Sequence, residues 1–510
     1  MKITFDSHIT EPCPLVTAAE MRECDASAAR DYNIAGIVLM ENAGRALFRK
    51  AEEMLRGVKG KSIAVICGGG NNGGDGFVFA RHCVCAGADV DIVYFGNREK
   101  ASSDSLANIT AAERMNIPVL EDIPDKDYDL VVDCLLGTGI TGDLRETSRD
   151  IIRRMNDMAG LKLSCDIPSG VNSDTGAVTT VAFKADATVT FALPKIGTVT
   201  YPGAAHCGEL AVADITIPRE KLYESRITRL ITTGVNPNGD AKPDGHKGDF
   251  GKVCVIAGSK GMTGAACMAS EAALKTGAGL VTCVVPESLN DIFEVKLTEV
   301  MTLPVPDYEG AFRSDSLAPA LTFAEGCDVC VLGPGLGREA YTSEFAREFI
   351  ARYRGALIVD ADALYALSGD LSVLDEAESD IIITPHAGEM SRLTGMTTAE
   401  IAADRLAAAS EFAESHGVTV VLKGAGTVVA HPDGSAAVNT SGSPAMATGG
   451  SGDVLAGMLA ALRARYDTKT AAESGVFLHG KAGEAAGEKY GTASVTAKDI
   501  LSSIADVLRK

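Results

Sequence analysis

A chain of 510 residues exceeds the size at which one hydrophobic core stops growing, so two domains are expected, and 46% hydrophobic with 23% charged residues excludes a disordered chain. The formal net charge of −21 excludes binding to nucleic acid or an anionic membrane through bulk electrostatics, so a phosphate-bearing ligand must be met locally by amides, helix ends and a few cations. Trp is absent, which leaves Val, Ile, Leu and Ala to build the cores; thirteen Cys without disulfide-like spacing, no leader-like opening and no apolar run of membrane-spanning length are read as a reduced, cytoplasmic protein.

In chain order, Thr17, Ala18, Ala19 and Glu20 form a capping box that opens a first helix, and 37–55 carries a second helical pattern. Short apolar runs then alternate with amphipathic stretches. Strands are expected at 62–67, 89–95, 130–134, 161–165 and 188–193, with helices near 74–86, 103–115 and 145–158. That alternation implies a parallel sheet covered on both faces, whose ligands lie beyond the carboxyl ends of its strands.

Three polar loops fall at those ends. The first, from Gly68 to Gly76, sets Asn71, Asn72 and Asp75 among glycines that include Gly73 and Gly74, without the usual dinucleotide spacing. The second carries Asp133 and then Gly137, Thr138, Gly139, Ile140, Thr141, Gly142 and Asp143, and the third runs from Asp166 through Ser169 to Gly170. A tight strand–helix turn accounts for each loop singly; the recurrence of Asp favours one shared site. Lys195, after the fifth strand, suits phosphate contact or acid–base chemistry, although by itself a solvated lysine after a proline turn is the better reading. Between Pro218 and Gly251 the periodicity fails in a turn-rich stretch, which divides the chain into domains 1–228 and 229–510.

Alternation resumes with strands expected at 253–257, 280–285, 329–332, 357–360, 381–384 and 418–422, and the chain closes with helices near 454–466, 471–489 and 497–509. Cys327 and Cys330 form a CxxC on an expected strand, where residues three apart face opposite ways, so they are read as core thiols. Polar loops again follow the strands. One contains Gly335, another His386, which alone is more often a structural turn residue than a ligand. A third is Lys423, Gly424, Ala425, Gly426 and Thr427, suited to a phosphate. The run from Ala447 to Asp453 sets the amides of Gly449, Gly450 and Gly452 beside one carboxylate at a helix N-terminus, where both the open amides and the helix dipole favour an anion. Asp453 there can take a proton from a hydroxyl that is being phosphorylated. A Gly-rich turn explains this run alone; with the other loops, a phosphoryl-transfer site is the better reading.

Through 439–457, 263–266, 333–337, 360–364 and 478–480, the second half resembles the ADP-dependent NAD(P)H-hydrate dehydratases of the ribokinase-like superfamily, with Ala387 where that family commonly has Pro. The first half resembles the NAD(P)H-hydrate epimerases, a Rossmann-like family, in Met40 to Gly44, Asn71 to Gly76, Asp133 with Gly137 to Asp143, and Asp166 to Gly170; Gly69 stands where Pro is frequent. The resemblance implies an α/β chain, a Rossmann-like three-layer domain followed by a ribokinase-like three-layer domain. It implies an enzyme that interconverts the R and S forms of hydrated NADH and NADPH and dehydrates the S form with ADP, releasing AMP and phosphate.

By the same resemblance, Asn71 to Asp75, Gly137 to Asp143 and Asp166 hold the hydrated nucleotide, and Asn72, Asp133 and Ser169 ligate K+. Ala265, Gly335, His386 and Asp453 contact the hydrate, while Lys423 to Thr427 and Gly452 hold ADP, with Mg2+ on its phosphates. Asp453 is the expected base of dehydration. Asp166, with Lys195 second, is the expected proton-transfer residue of epimerisation. The expected partners are small molecules, not nucleic acid or membrane, and the expected assembly is a homo-oligomer. The alternative is a ribokinase-like small-molecule kinase with an N-terminal nucleotide-binding module.

Overall fold

The computed structural model describes every residue except 1, 7, 8, 10, 11, 141, 225, 236, 238–245 and 510. Thr141 of the expected substrate loop, and part of the turn-rich stretch between Pro218 and Gly251, lie outside the described residues. The chain divides into two compact units, Met1–Leu230 and Ile231–Lys510.

The first unit is built on eight strands: β1 (Ile3–Phe5), β2 (Ser62–Cys67), β3 (Asp89–Tyr94), β4 (Val119–Leu120), β5 (Leu130–Cys134), β6 (Leu161–Cys165), β7 (Ala187–Phe191) and β8 (Glu209–Ala213). Their order is β1-β8-β7-β6-β5-β2-β3-β4, and every adjacent pair is parallel. β5 is buried along its whole length and β2 after its first residue, as a sheet covered on both faces demands. The Thr17 cap forms as expected: the Thr17 hydroxyl accepts from Glu20 N at 3.2 Å, and Glu20 Oε2 accepts from Thr17 N at 2.8 Å. Helix Gly36–Leu55 meets helix Asn71–Cys85 at Gly44, where a Cβ would lie 2.4 Å from Val78 Cγ1 and 2.9 Å from the Asp75 carbonyl. Only glycine permits that approach.

β9 (Arg229–Ile231) straddles the division, and the second unit continues with β10 (Lys252–Ile256), β11 (Leu280–Pro286), β12 (Met301–Val305), β13 (Val329–Leu332), β14 (Ala356–Val359), β15 (Asp380–Ile383), β16 (Thr419–Leu422), β17 (Val428–Ala430) and β18 (Ala436–Val438). The order is β12-β11-β10-β13-β14-β15-β16-β17-β18-β9, parallel from β12 to β16 and antiparallel through β16, β17 and β18. Small residues bring the helices onto one another: a Cβ on Gly457 of helix Ser451–Arg463 would lie 2.0 Å from the Ala269 carbonyl of helix Thr263–Lys275. Val253, Val331, Ile358, Ala269 and Leu459 share one buried cluster, the aliphatic core that a chain without Trp requires. Each such aliphatic side chain beyond Ala contributes roughly 1.5–3 kcal/mol.

Two departures from the sequence reading matter for function. Helices that apolar spacing starts at 74 and 454 begin three residues earlier, at Asn71 and Ser451. Residues of poor helix propensity open both helices, Gly73 and Gly74 after two Asn in one and Ser451, Gly452 and Asp453 in the other, so the apparent loops are helix N-termini whose amides lack acceptors within the helix. Secondly, Cys327 precedes β13 rather than lying on it, and the Cys254 thiol lies against both Cys327 and Cys330, so the opposite-face argument does not hold for that pair. None of the thirteen cysteines, all among the described residues, is in a disulfide, and all but Cys85 and Cys327 are buried. Among the described residues, no helix is long and apolar enough to cross a membrane.

Candidate active sites

In the first unit, Asp133 and Asp166 stand at the carboxyl ends of β5 and β6, and Lys195 follows β7. Asp166 follows β6 with φ +64°, a left-handed conformation that Asp tolerates. Its Oδ1 accepts from Lys195 Nζ at 2.5 Å, Thr190 Oγ1 at 3.2 Å and Phe191 N at 3.2 Å. Lys195 is 1% exposed and also donates to Thr190 Oγ1 and Phe191 O, each at 3.2 Å. Its three donors are all engaged inside the fold, so Lys195 stands behind Asp166 rather than beside a ligand. Asp25, from helix Ala18–Tyr32, borders the cluster: the residue is exposed, but desolvation on its inner side pushes the carboxyl up to about 6, the Lys195 charge opposing and the Asp166 charge adding. Burial holds the Asp75 carboxyl well above its ordinary range, with the Cys134 thiol, Asp166 and Asp25 reinforcing it. The sequence carries no mark of Asp25, one of several charged residues on its helix.

Deeper in the same unit, Asn72, Asp133 and Ser169 converge on the Leu136 peptide. Asp133, 0% exposed, accepts from Ser169 Oγ at 2.6 Å and Ser169 N at 2.7 Å. Ser169 Oγ accepts from Leu136 N at 2.8 Å, and Asn72 Nδ2 donates to Leu136 O at 2.9 Å and Cys165 O at 3.2 Å. Burial pushes the Asp133 carboxyl up to about 7 against the Ser169 bonds, and no cationic side chain pairs with it among the described residues. The glycines fit by contact: a Cβ on Gly73 would lie 2.0 Å from the Gly68 carbonyl, one on Gly74 2.7 Å from Met40 Cε, and one on Gly137 3.4 Å from Asn72 Cβ. Asn71 accepts from Ser102 Oγ at 3.0 Å. The carbonyls of Thr138 and Ile140 are tied to Ser173 and Asn172, whereas Gly139, Gly142 and Asp143 are exposed.

In the second unit, Asp453 occupies the first turn of helix Ser451–Arg463, which Gly450 enters with φ +92°. Opposite the helix mouth, Lys423 Nζ donates to Asp360 Oδ1 at 2.6 Å and stands 3.8 Å from Glu389 Oε2. A Cβ on Gly452 would lie 3.5 Å from Lys423 Nζ and 3.8 Å from Asp360 Oδ2, so helix end, cation and carboxylate share one space. Burial pushes Asp453 up to about 7; the Asp360 charge adds to this, Lys423 opposes it and Asp362 adds again. Burial disfavours the Lys423 ammonium, but Asp360 and Glu389 outweigh it and raise the pKa. Beneath the turn, burial lowers His479 to about 4, which leaves a neutral imidazole with Nε2 3.4 Å from Ser451 Oγ.

The other expected residues ring this space. His386 caps helix Ala387–Thr394: its Nδ1 accepts from Gly388 N at 3.0 Å and Glu389 N at 3.2 Å, while Glu389 Oε2 accepts from His386 N at 2.8 Å. It is thus a turn residue, yet it pairs in register with Lys423 and its side chain is exposed. Gly335 (φ +60°) lies where a Cβ would be 3.1 Å from Ala265 Cβ. Asp362 accepts from Gly337 N at 3.0 Å and Arg338 Nε at 2.7 Å, fixing that loop. Gly424, Ala425, Gly426 and Thr427 join β16 to β17, closed by Thr427 Oγ1 donating to Gly424 O at 2.9 Å. Asp360, Asp362, Arg338 and Glu389 escape a reading based on Gly-rich loops. Their signals are a strand end and a capping-box position. Among the described residues, no group of three or more His, Cys, Asp or Glu is arranged to hold a metal.

Residues 253–506 match the family model described as NAD(P)H-hydrate dehydratase, and 36–197 the one described as YjeF-related protein N-terminus. The chain is 40% identical to the bifunctional NAD(P)H-hydrate repair enzyme Nnr of Moorella thermoacetica over 97% of this chain and 96% of the relative. It is 38% identical to that of Thermofilum pendens over 96% and 95%. A solved structure of the ADP/ATP-dependent NAD(P)H-hydrate dehydratase from Bacillus subtilis, co-crystallised with ATP and Mg2+, is 27% identical, covering 55% of this chain and 94% of that one with a TM-score of 0.45. With matched models in both halves and relatives aligned nearly end to end, the chain belongs to the family of bifunctional NAD(P)H-hydrate repair enzymes.

Proposed function

We propose that the second unit dehydrates the S form of hydrated NADH or NADPH through a phosphate ester, with Asp453 as base and ADP as phosphoryl donor. The observation that carries this reading is the half-buried Asp453 at an open helix N-terminus, facing the Asp360–Lys423 pair. Hydroxide is a poor leaving group, so the hydroxyl must first be converted. Asp453 takes its proton as the oxygen attacks the terminal phosphorus of ADP, and the bond to the bridging oxygen breaks to leave AMP. The first-turn amides and Lys423 meet charge developing on the transferring group. The ring-nitrogen lone pair then expels phosphate, and loss of the adjacent ring proton restores the dihydropyridine. Ala265, Gly335 and His386 line the hydrate side; Gly452 and Lys423 to Thr427 take the nucleotide. Asp360 and Glu389 are hard oxygen donors suited to Mg2+, which when bound would neutralise phosphate charge.

Such geometry accepts one stereoisomer, because the hydroxyl must face both Asp453 and the phosphate. The first unit, in this reading, interconverts the isomers. Asp166 moves the proton, Lys195 fixes its carboxylate, and Asn71 to Asp75 with the Gly137–Asp143 loop hold the nucleotide. Asp133, Ser169 and Asn72 offer one carboxylate with neutral oxygens, a donor set suited to K+. A homo-oligomer in a reducing cytoplasm completes the proposal, and light scattering checks the assembly. The deciding experiment mixes purified protein with both hydrates and ADP and follows dihydronicotinamide absorbance together with AMP. Recovery of absorbance with matching AMP supports the reading; a stable phosphorylated product would make the chain a kinase instead.

A further inference from the structure

The Lys423–Thr427 loop has a second cation behind it. Arg405, 8% exposed, is the first residue of helix Arg405–His416. Its Nη2 donates to the carbonyls of Leu422 at 2.8 Å and Lys423 at 3.2 Å, the two peptides that lead into the loop. Its Nε has no acceptor, and among the described residues no carboxylate pairs with the guanidinium. Asp404, its neighbour in the chain, is turned to the helix and accepts from Ala407 N at 2.9 Å. Gly424 backs directly onto Arg405: a Cβ there would lie 2.9 Å from Nη2 and 3.2 Å from Nη1.

An unpaired buried charge is disfavoured, and a cation at a helix N-terminus is disfavoured again by the dipole. Burial accordingly lowers the Arg405 pKa, with no charged neighbour opposing it. An apolar side chain of similar length would fill the same space without either penalty. We propose that Arg405 is a positioning residue of the nucleotide site: its unpaired guanidinium, held behind Gly424 by the Leu422 and Lys423 carbonyls, keeps the loop at positive potential until the phosphates of a bound nucleotide neutralise it. The inference rests on the nucleotide reading of that loop.

The test is calorimetric binding of ADP, AMP and adenosine to the full chain, its R405K variant and its R405Q variant, with melting temperatures of the unliganded proteins. Gln keeps a donor for the carbonyls and removes the charge; Lys keeps both. R405Q should bind ADP about tenfold more weakly, equivalent to about 1.4 kcal/mol, and adenosine unchanged, whereas R405K stays within about threefold for both ligands. Unliganded R405Q should melt no lower than the wild type. Equal losses for adenosine and ADP, equal damage in the two variants, undiminished ADP binding by R405Q, or an R405Q that melts well below wild type or fails to fold would each overturn the proposal and make Arg405 structural. A wild-type chain that binds adenosine and ADP equally or not at all overturns the nucleotide reading itself, and this inference with it.

Discussion

The two units each place an aspartate beside an ordered element, and they treat it in opposite ways. Asp166 is locked: three donors, one of them a buried ammonium, converge on a single carboxylate oxygen. Asp453 has no such clamp; burial and the carboxylates of Asp360 and Asp362 push it up to about 7 while Lys423 alone opposes them. Isomer exchange is reversible and needs a group held in place to give and take the same proton. Phosphoryl transfer needs a base whose proton affinity is already near the working pH. In the proposed reading, parallel-sheet architecture supplies both by changing what surrounds the carboxylate.

The largest effect should come from Asp453→Asn, which removes the base while keeping the shape. Dehydration should fall by about three orders of magnitude or more with epimerisation untouched, measured by absorbance recovery and by chromatographic separation of the isomers. Asp166→Ala breaks the comparison from the other side. Isomer exchange should fall by roughly 10²–10⁴-fold while dehydration of pure S hydrate stays normal, and exchange at full speed would remove the assignment.

Lys423→Met leaves the Asp360 carboxylate buried without its partner. It should cost about 3–5 kcal/mol by urea denaturation of the second unit's transition, and the double variant with Asp360→Asn should recover much of it. For pH, Asp453 must be ionised to act. The dehydration rate should therefore fall tenfold per unit as pH drops below about 7, and epimerisation should not share that profile. The stability effect runs the other way. A carboxyl whose folded pKa is raised favours the fold while protonated, so stability is lost as pH rises from its unfolded value through about 7, and Asp453→Asn should melt higher than wild type at pH 8. The smallest effect should be exchange of K+ for Na+, slowing epimerisation alone.

The repetitive part of the molecule was legible from residue patterns. The strands at 62–67, 130–134, 161–165 and 329–332 follow the expected limits; in 62–67, 130–134 and 329–332 a strand buried on both faces leaves a nearly continuous apolar run, while 161–165 is interrupted by Lys162 and Ser164. Short strands at or near the sheet edges, such as β1, β4, β17 and β18, carry too few residues to stand out, and β12 at an edge is mostly unburied and holds Pro304. Helix starts at Asn71 and Ser451 were hidden because the glycines that open amides to an anion are the ones propensity reads as loop. Site residues marked by Gly-rich runs could be found that way. Asp25, Asp360, Glu389 and Arg405 could not, since each is an ordinary polar residue whose placement comes from long-range packing; Lys423 meets Asp360 across 63 positions of chain.

What remains decisive is whether the helix mouth at Ser451 converts an alcohol into a departing phosphate ester. Single turnover of S hydrate with ADP, quenched at intervals, measures dihydronicotinamide and AMP in the same samples. Wild-type protein should form the two in equal amounts, and Asp453→Asn should form neither. Dihydronicotinamide appearing without AMP, or at undiminished rate in Asp453→Asn, would contradict the account.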